Sequence, residues 1–331
     1  MSVALVFAIF LCLSSFSVSA DNKNKTVYLG GQPFGLKFYN DGVIIIELEH
    51  FFDGVNYNCP AKNAGLKVND IIKEINGEKI NSNEDLQKIV TKSNGNQLSF
   101  IIKRNGKEID KLITPIKNMA GMYLIGAWVR DSCAGIGTVT YYDKEKNYFA
   151  ALGHGVCDKD TSGLLPLGYG EVVCSYISGV TKSTKGKAGS LDGYFSDTTF
   201  GVLTKNTSSG VFGTINDNFC FDQKAVEIAD CDEIKTGKAE IYTTIIGEEP
   251  QYYDIEIVKI CNTNKNTNEN FVIKVTSDKL IENCGGIVQG MSGSPIVQNG
   301  KLVGAVTHVF VNSPCEGYGV IAQNMVSVFE E

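Results

Sequence analysis

Residues 285–310 read GGIVQGMSGSPIVQNGKLVGAVTHVF, with Ser292 set between Gly290-Met291 and Gly293-Ser294-Pro295. Small residues on both sides let the backbone turn sharply enough to expose a hydroxyl and to aim neighbouring N–H groups at one point. An apolar strand follows and returns through Asn299-Gly300, a pair suited to a two-residue hairpin. Serine is a poor nucleophile near neutral pH unless a base lies in reach, and the chain has only His50, His154 and His308 to offer. His154 ends the apolar run in FAALGHGVCD, which suits an imidazole held at a barrel rim. His50 reads as a surface residue of the amino-terminal part.

The G-x-S-G-x-P pattern resembles the nucleophile segment of chymotrypsin-like proteases, and the order of histidine before serine agrees with it. The resemblance implies that His154 is the base, that the N–H groups of Gly290 and Ser292 form the oxyanion hole, and that His308 lines the primary specificity pocket. An orienting acid is expected too: Asp278 in VTSDKLIENCGG is favoured, with Asp158 and Asp160 as local alternatives. From Met122 onward, short alternating runs such as GTVTYY, AEIYTTII, YYDIEIV and NFVIKVT predict an all-β sandwich or barrel. With the resemblance this becomes a double-barrel serine peptidase domain over residues 119–331.

The segment from Gly30 to Lys117 reads as a separate α+β unit. GLKFYNDGVIIIEL supplies two strand-like runs about Asp41-Gly42, and NSNEDLQKIV combines Asn and Ser cap candidates with an apolar face of Leu86, Ile89 and Val90. Turns are expected at Asn76-Gly77 and Asn105-Gly106. Cys59-Pro60-Ala61, Ala64-Gly65-Leu66, Asp70-Ile71-Ile72 and Ile75-Asn76-Gly77 resemble the PDZ family. The resemblance implies a groove for a peptide ligand, or for the chain's own amino-terminal tail, with Gly35, Leu36, Lys37 and Phe38 as the loop that caps a peptide carboxylate.

Length and composition bound the rest. A chain of 331 residues with 43% hydrophobic content can fill two cores. A net charge of −7 with dispersed lysines argues against nucleic acid as a partner. Residues 1–20, MSVALVFAIFLCLSSFSVSA, form an uncharged apolar block closing on small residues, so export by a signal peptide or a membrane anchor is expected. Without Cys12, nine cysteines remain, an odd number with no C-x-x-C pair, and neither a metal site nor a cofactor is expected.

Three strings, VRDSCAGIGTVTYYD, FAALGHGVCDKDT and residues 285–320, are similar to the stage IV sporulation protein B peptidases of endospore-forming Firmicutes. The likeness implies a signalling protease, exported from the forespore into the space between two membranes, that cleaves a membrane-tethered regulator and so triggers sigma-K activation. Ser277-Asp278 stands where that family shows an acid one place earlier, and Cys133 stands where it tends to have threonine. A general exported quality-control protease of the high-temperature-requirement type and a catalytically dead PDZ scaffold are the competing readings. Domain order speaks against the first, and retention of His154 and Ser292 against the second.

Overall fold

The computed structural model describes residues 25–216, 224–261 and 267–330, so the apolar block at residues 1–20 lies outside the described residues. The chain opens with β1 (Thr26–Leu29) and a 16-residue strand, β2 (Pro33–Leu48). A small α+β unit follows: β3 (Phe51–Phe52), β4 (Tyr57–Asn58), α1 (Pro60–Asn63), β5 (Ile71–Ile75), β6 (Glu78–Lys79), α2 (Asn83–Lys92), β7 (Leu98–Arg104) and β8 (Lys107–Ile113). β9 (Ile116–Lys117) and β10 (Tyr123–Leu124) lead into β11 (Ala127–Asp143), which is 17 residues long.

Next come β12 (Tyr148–Ala151), β13 (Leu167–Thr181), β14 (Ser190–Thr207), β15 (Gly210–Ile215) and β16 (Ala225–Glu227). The carboxyl-terminal part holds β17 (Gly237–Thr243), β18 (Gln251–Ile260), β19 (Phe271–Val275), α3 (Asp278–Cys284), β20 (Pro295–Gln298), β21 (Lys301–Phe310), β22 (Ser313–Ile321) and α4 (Ala322–Glu330).

Two barrels result. β17, β18, β19, β22, β21 and β20 close one barrel, whose core includes Ile241, Ile257, Phe271 and Val306. The other runs β11–β12–β15–β14–β13–β2 and returns from β2 to β11, every pair antiparallel. The double-barrel, chymotrypsin-like architecture is therefore present, with the PDZ unit ahead of all its barrel strands except β2.

The domain boundary differs from the expected one, because β2 is a wall of the first barrel. Gly35, Leu36, Lys37 and Phe38 pair with Ile136, Gly135, Ala134 and Cys133 on one side and with Val173, Val172, Glu171 and Gly170 on the other. They form no peptide-capping loop. The physical reason is alternation: Phe34, Leu36 and Phe38 project into the barrel core, each contributing roughly 1.5–3 kcal/mol of burial. Gly35 sits where a Cβ would meet the Phe195 ring at 2.5 Å.

Asp41-Gly42 is likewise not a hairpin turn. β2 runs through it and bends at Gly42 (φ 99°), so that Val43 and Ile44 pair with Ile72 and Ile71 of the PDZ unit. At its far end Leu48 pairs with Ala127. The PDZ unit is thus inserted between two adjacent strands of the first barrel.

Inside the insert the local signals hold. Ser82 caps α2 by accepting from the Asp85 N–H while Asp85 accepts from the Ser82 N–H, and Leu86 and Val90 face the core. Asn76-Gly77, Asn105-Gly106 and Asn299-Gly300 each have both φ positive, as two-residue hairpins of this type require.

Candidate active site

Ser292 and His154 line one cavity of about 540 Å³, His154 coming from the segment after β12 and Ser292 from the turn before β20. The serine turn is built by two glycines in the left-handed region, Gly290 (φ 98°) and Gly293 (φ 94°). At Gly293 a Cβ would lie 2.1 Å from the Thr138 carbonyl oxygen, so no other residue fits. Thr138 ties the first barrel to this turn: its N–H donates to the Ser292 carbonyl and its hydroxyl to the Gly290 carbonyl. Among the described residues no acceptor meets the N–H of Gly290 or of Ser292, as an oxyanion hole requires.

The histidine segment is strained in its own way. Leu152 has φ 67°, a conformation costing a non-glycine residue roughly 1–2 kcal/mol, and Gly153 follows at φ 68°. This double reversal turns His154 out of the barrel wall. Its Nδ1 lies 2.9 Å from the Gly155 carbonyl oxygen, which can only accept, so Nδ1 carries the proton and Nε2 keeps a lone pair. Burial pushes the imidazole down to about 4; the Gly155 carbonyl opposes that shift and His308 adds to it.

No carboxylate is among the groups that shift His154. Asp278, the expected acid, is an exposed residue opening α3, behind its cap Ser277, and does not line the cavity. Asp158 is buried with one oxygen on Arg130 and the other on the Asp160 and Thr161 N–H groups, and Asp160 also bonds Arg130. Both brace the loop after His154. The orienting group at His154 is thus a backbone carbonyl, for which a sequence carries no letter.

His308 does line the cavity, but its ring lies on that of His154, with centroids 4.8 Å apart. A register shift in β21 after Val306 buries Thr307 and leaves His308 exposed at the rim. The Ser292 hydroxyl donates to the Thr307 carbonyl at 2.8 Å. His50 is exposed at the end of β2, as expected.

A second cavity, of about 450 Å³, lies between α2 and residues 123–129, with Leu86, Val90, Tyr123 and Ile125 among its walls. At its head, Ile125 and Gly126 have N–H groups without an acceptor among the described residues. Gly126 (φ 75°) is required there, since a Cβ would meet the Glu49 carbonyl oxygen at 2.6 Å. Leu124-Ile125-Gly126-Ala127 thus occupies the place expected for residues 35–38. The same apolar-Gly-apolar signal is present in YLIGAWV, residues 123–129, which follows the PDZ pattern in sequence instead of opening it. β11 then runs on from this groove to the active-site cavity, which its residues Cys133–Gly137 line.

Residues 121–326 match the profile of the SpoIVB peptidase S55 family, and residues 18–113 match the PDZ domain, a span that takes in β1 and β2. The chain is 44% identical over 69 residues to a probable protease of Enterococcus faecalis, and 33% identical over 69 residues to a putative zinc metalloprotease of Clostridium perfringens. Each stretch is 21% of this chain, and 16% and 21% of those proteins respectively, so the chain spans about a fifth or less of their length.

Among solved structures, the HtrA-type protease AlgW with a tripeptide is 15% identical, covering 60% of this chain and 55% of that one at a TM-score of 0.36. The PDZ domain of an SdrC-like protein from Listeria monocytogenes is 23% identical, covering 27% and 87% at a TM-score of 0.22. With TM-scores this low, the fold stands on the strand pairing described above.

Proposed function

Because the chain belongs to the SpoIVB peptidase S55 family, we propose that this serine peptidase is an exported endopeptidase that cleaves a membrane-tethered regulator during sporulation and thereby triggers sigma-K activation. The observation that carries the chemistry is the Nδ1–H···O=C bond from His154 to Gly155, which leaves Nε2 as the basic atom in the cavity that holds Ser292.

The reaction follows from that tautomer. The Ser292 hydroxyl leaves the Thr307 carbonyl by rotation about χ1, passes its proton to His154 Nε2, and Oγ bonds to the scissile carbonyl carbon. Negative charge on the carbonyl oxygen meets the free N–H groups of Gly290 and Ser292. The imidazolium then protonates the leaving amine as the C–N bond breaks, and water, deprotonated by the same Nε2, hydrolyses the acyl-enzyme.

A serine-directed fluorophosphonate followed by peptide mapping tests the chemistry. Label on Ser292, absent after heat unfolding and lost in His154→Ala, is expected; an unlabelled Ser292 in folded protein sinks the reading. For the signalling role, the likeness of the three strings quoted above to sporulation peptidases is the support. A sporulating host carrying Ser292→Ala in place of the wild-type chain should leave a sigma-K-dependent reporter silent, and normal reporter activity rejects that role.

A further inference from the structure

Among the described residues, no Asp, Glu, Lys or Arg lines the active-site cavity. Around Ser292 its wall is Ala188, Ile287, Val288 and Val309, with Gln289, Thr307 and the two imidazoles as the polar groups. Ile287 lies against Gly317, where a Cβ would stand 2.9 Å from its Cδ1, so the apolar wall depends on that glycine. A charged substrate side chain entering here loses its water and meets no counter-charge among the described residues of the wall, a cost that no contact in the cavity offsets.

The rim differs sharply. The turn at residues 182–187 carries Lys182, Lys185 and Lys187 with no acid among them, in a chain of net charge −7. It is pinned to the cavity's edge, since the Gly186 N–H donates to the carbonyl of Val311, and both Val311 and Ala188 line the cavity. Lys182 is occupied by the Glu282 carbonyl. Lys185 and Lys187 are exposed and have no ion-pair partner among the described residues; the nearby Asp192 is held by Thr181 and Ser190 instead. From Thr307, beside the nucleophile, to Val311, beside the lysines, is four residues of chain, or roughly 13 Å of extended peptide.

We infer that the substrate presents an uncharged, apolar residue at the scissile bond and an acidic residue about four positions earlier, laid along β21 so that its carboxylate meets Lys185 and Lys187. This deepens the peptidase reading and rests on it.

Peptidyl diphenyl phosphonates test it, because their readout is the rate at which Ser292 is modified. With valine at the reacting position, phosphonylation is expected to exceed that with lysine or glutamate by at least about a hundredfold. With aspartate rather than asparagine four positions earlier, the rate is expected to rise roughly fivefold, and to lose that gain in 0.5 M salt or in Lys185→Glu/Lys187→Glu. Ala188→Asp should open the site to lysine at the reacting position. Equal rates for valine and the charged residues, or an aspartate effect indifferent to both lysines, overturn the inference. Should the small fluorophosphonate fail to label Ser292 at all, the peptidase reading itself falls; label by that reagent with no peptide preference rejects only the substrate class.

Discussion

The imidazole of His308 lies over that of His154, with centroids 4.8 Å apart and planes tilted by 33°. Two facing imidazoles resist carrying two protons, and partial desolvation at the cavity lowers the pKa of both, although His308 keeps an edge exposed at the rim. The base is therefore neutral across the physiological range, and its activity should persist well below the usual histidine limit. The acid limb of kcat/KM is expected near pH 4 for the wild type and above that in His308→Ala, which admits water and removes the repelling ring; a wild-type limb near 6.5 contradicts the burial.

Stability should follow the same proton. The folded value of His154, about 4, is below the ordinary 6.5, so as pH falls the unfolded chain is protonated first and stability declines from about 6.5 down to about 4. The full loss is roughly 3 kcal/mol on the scale of 1.36 kcal/mol per unit. Urea midpoints at pH 7 and 4.5 should converge in His154→Gln relative to wild type; an unchanged gap assigns the loss to other groups.

Asp278→Asn should leave kcat/KM within about threefold of wild type, against the roughly ten-thousandfold loss expected when a carboxylate orients the base. Asp158→Asn should instead unfold the protein more readily, because it leaves the part-exposed Arg130 with Asp160 alone, at a cost of about 1.5–3 kcal/mol. Thermal melts of the two variants beside their peptide hydrolysis rates separate these roles.

Gly126→Ala should abolish binding of peptides with a free C-terminal carboxylate in the groove beside α2, while blocking that carboxylate as an amide should weaken binding to the wild type. Fluorescence anisotropy of a labelled peptide reads both. Deletion of residues 30–117, by contrast, is no test of the groove, since it removes β2 and opens the first barrel.

What the sequence disclosed was chemistry with short-range signals: the glycines about Ser292, the Gly-flanked His154, the Asn-Gly turns and the Ser cap candidate of α2. What it hid depended on partners. PFGLKFY alternates in the same way whether it edges a PDZ groove or walls a barrel, and only the burial of Phe34 and Phe38 against Phe200 and Leu203 decides between them. Asp278 carried the expected charge but not the expected place. The group that does orient His154 is the Gly155 carbonyl, a main-chain atom that every residue possesses and that only geometry can single out.

The insertion of the PDZ unit between β2 and β11 sets an order of events during synthesis. Pro33 pairs with Thr138, so one wall of the first barrel leaves the ribosome long before its neighbour β11. At ordinary translation speeds of roughly 5–20 residues per second, that wait is on the order of seconds. Meanwhile the finished insert can hold the end of β2 through Val43 and Ile44 against Ile72 and Ile71. The peptide-binding unit would thus act as a scaffold for its own host, and a lesion in its core, such as Phe100→Ala, would lower the yield of active peptidase without touching any catalytic atom.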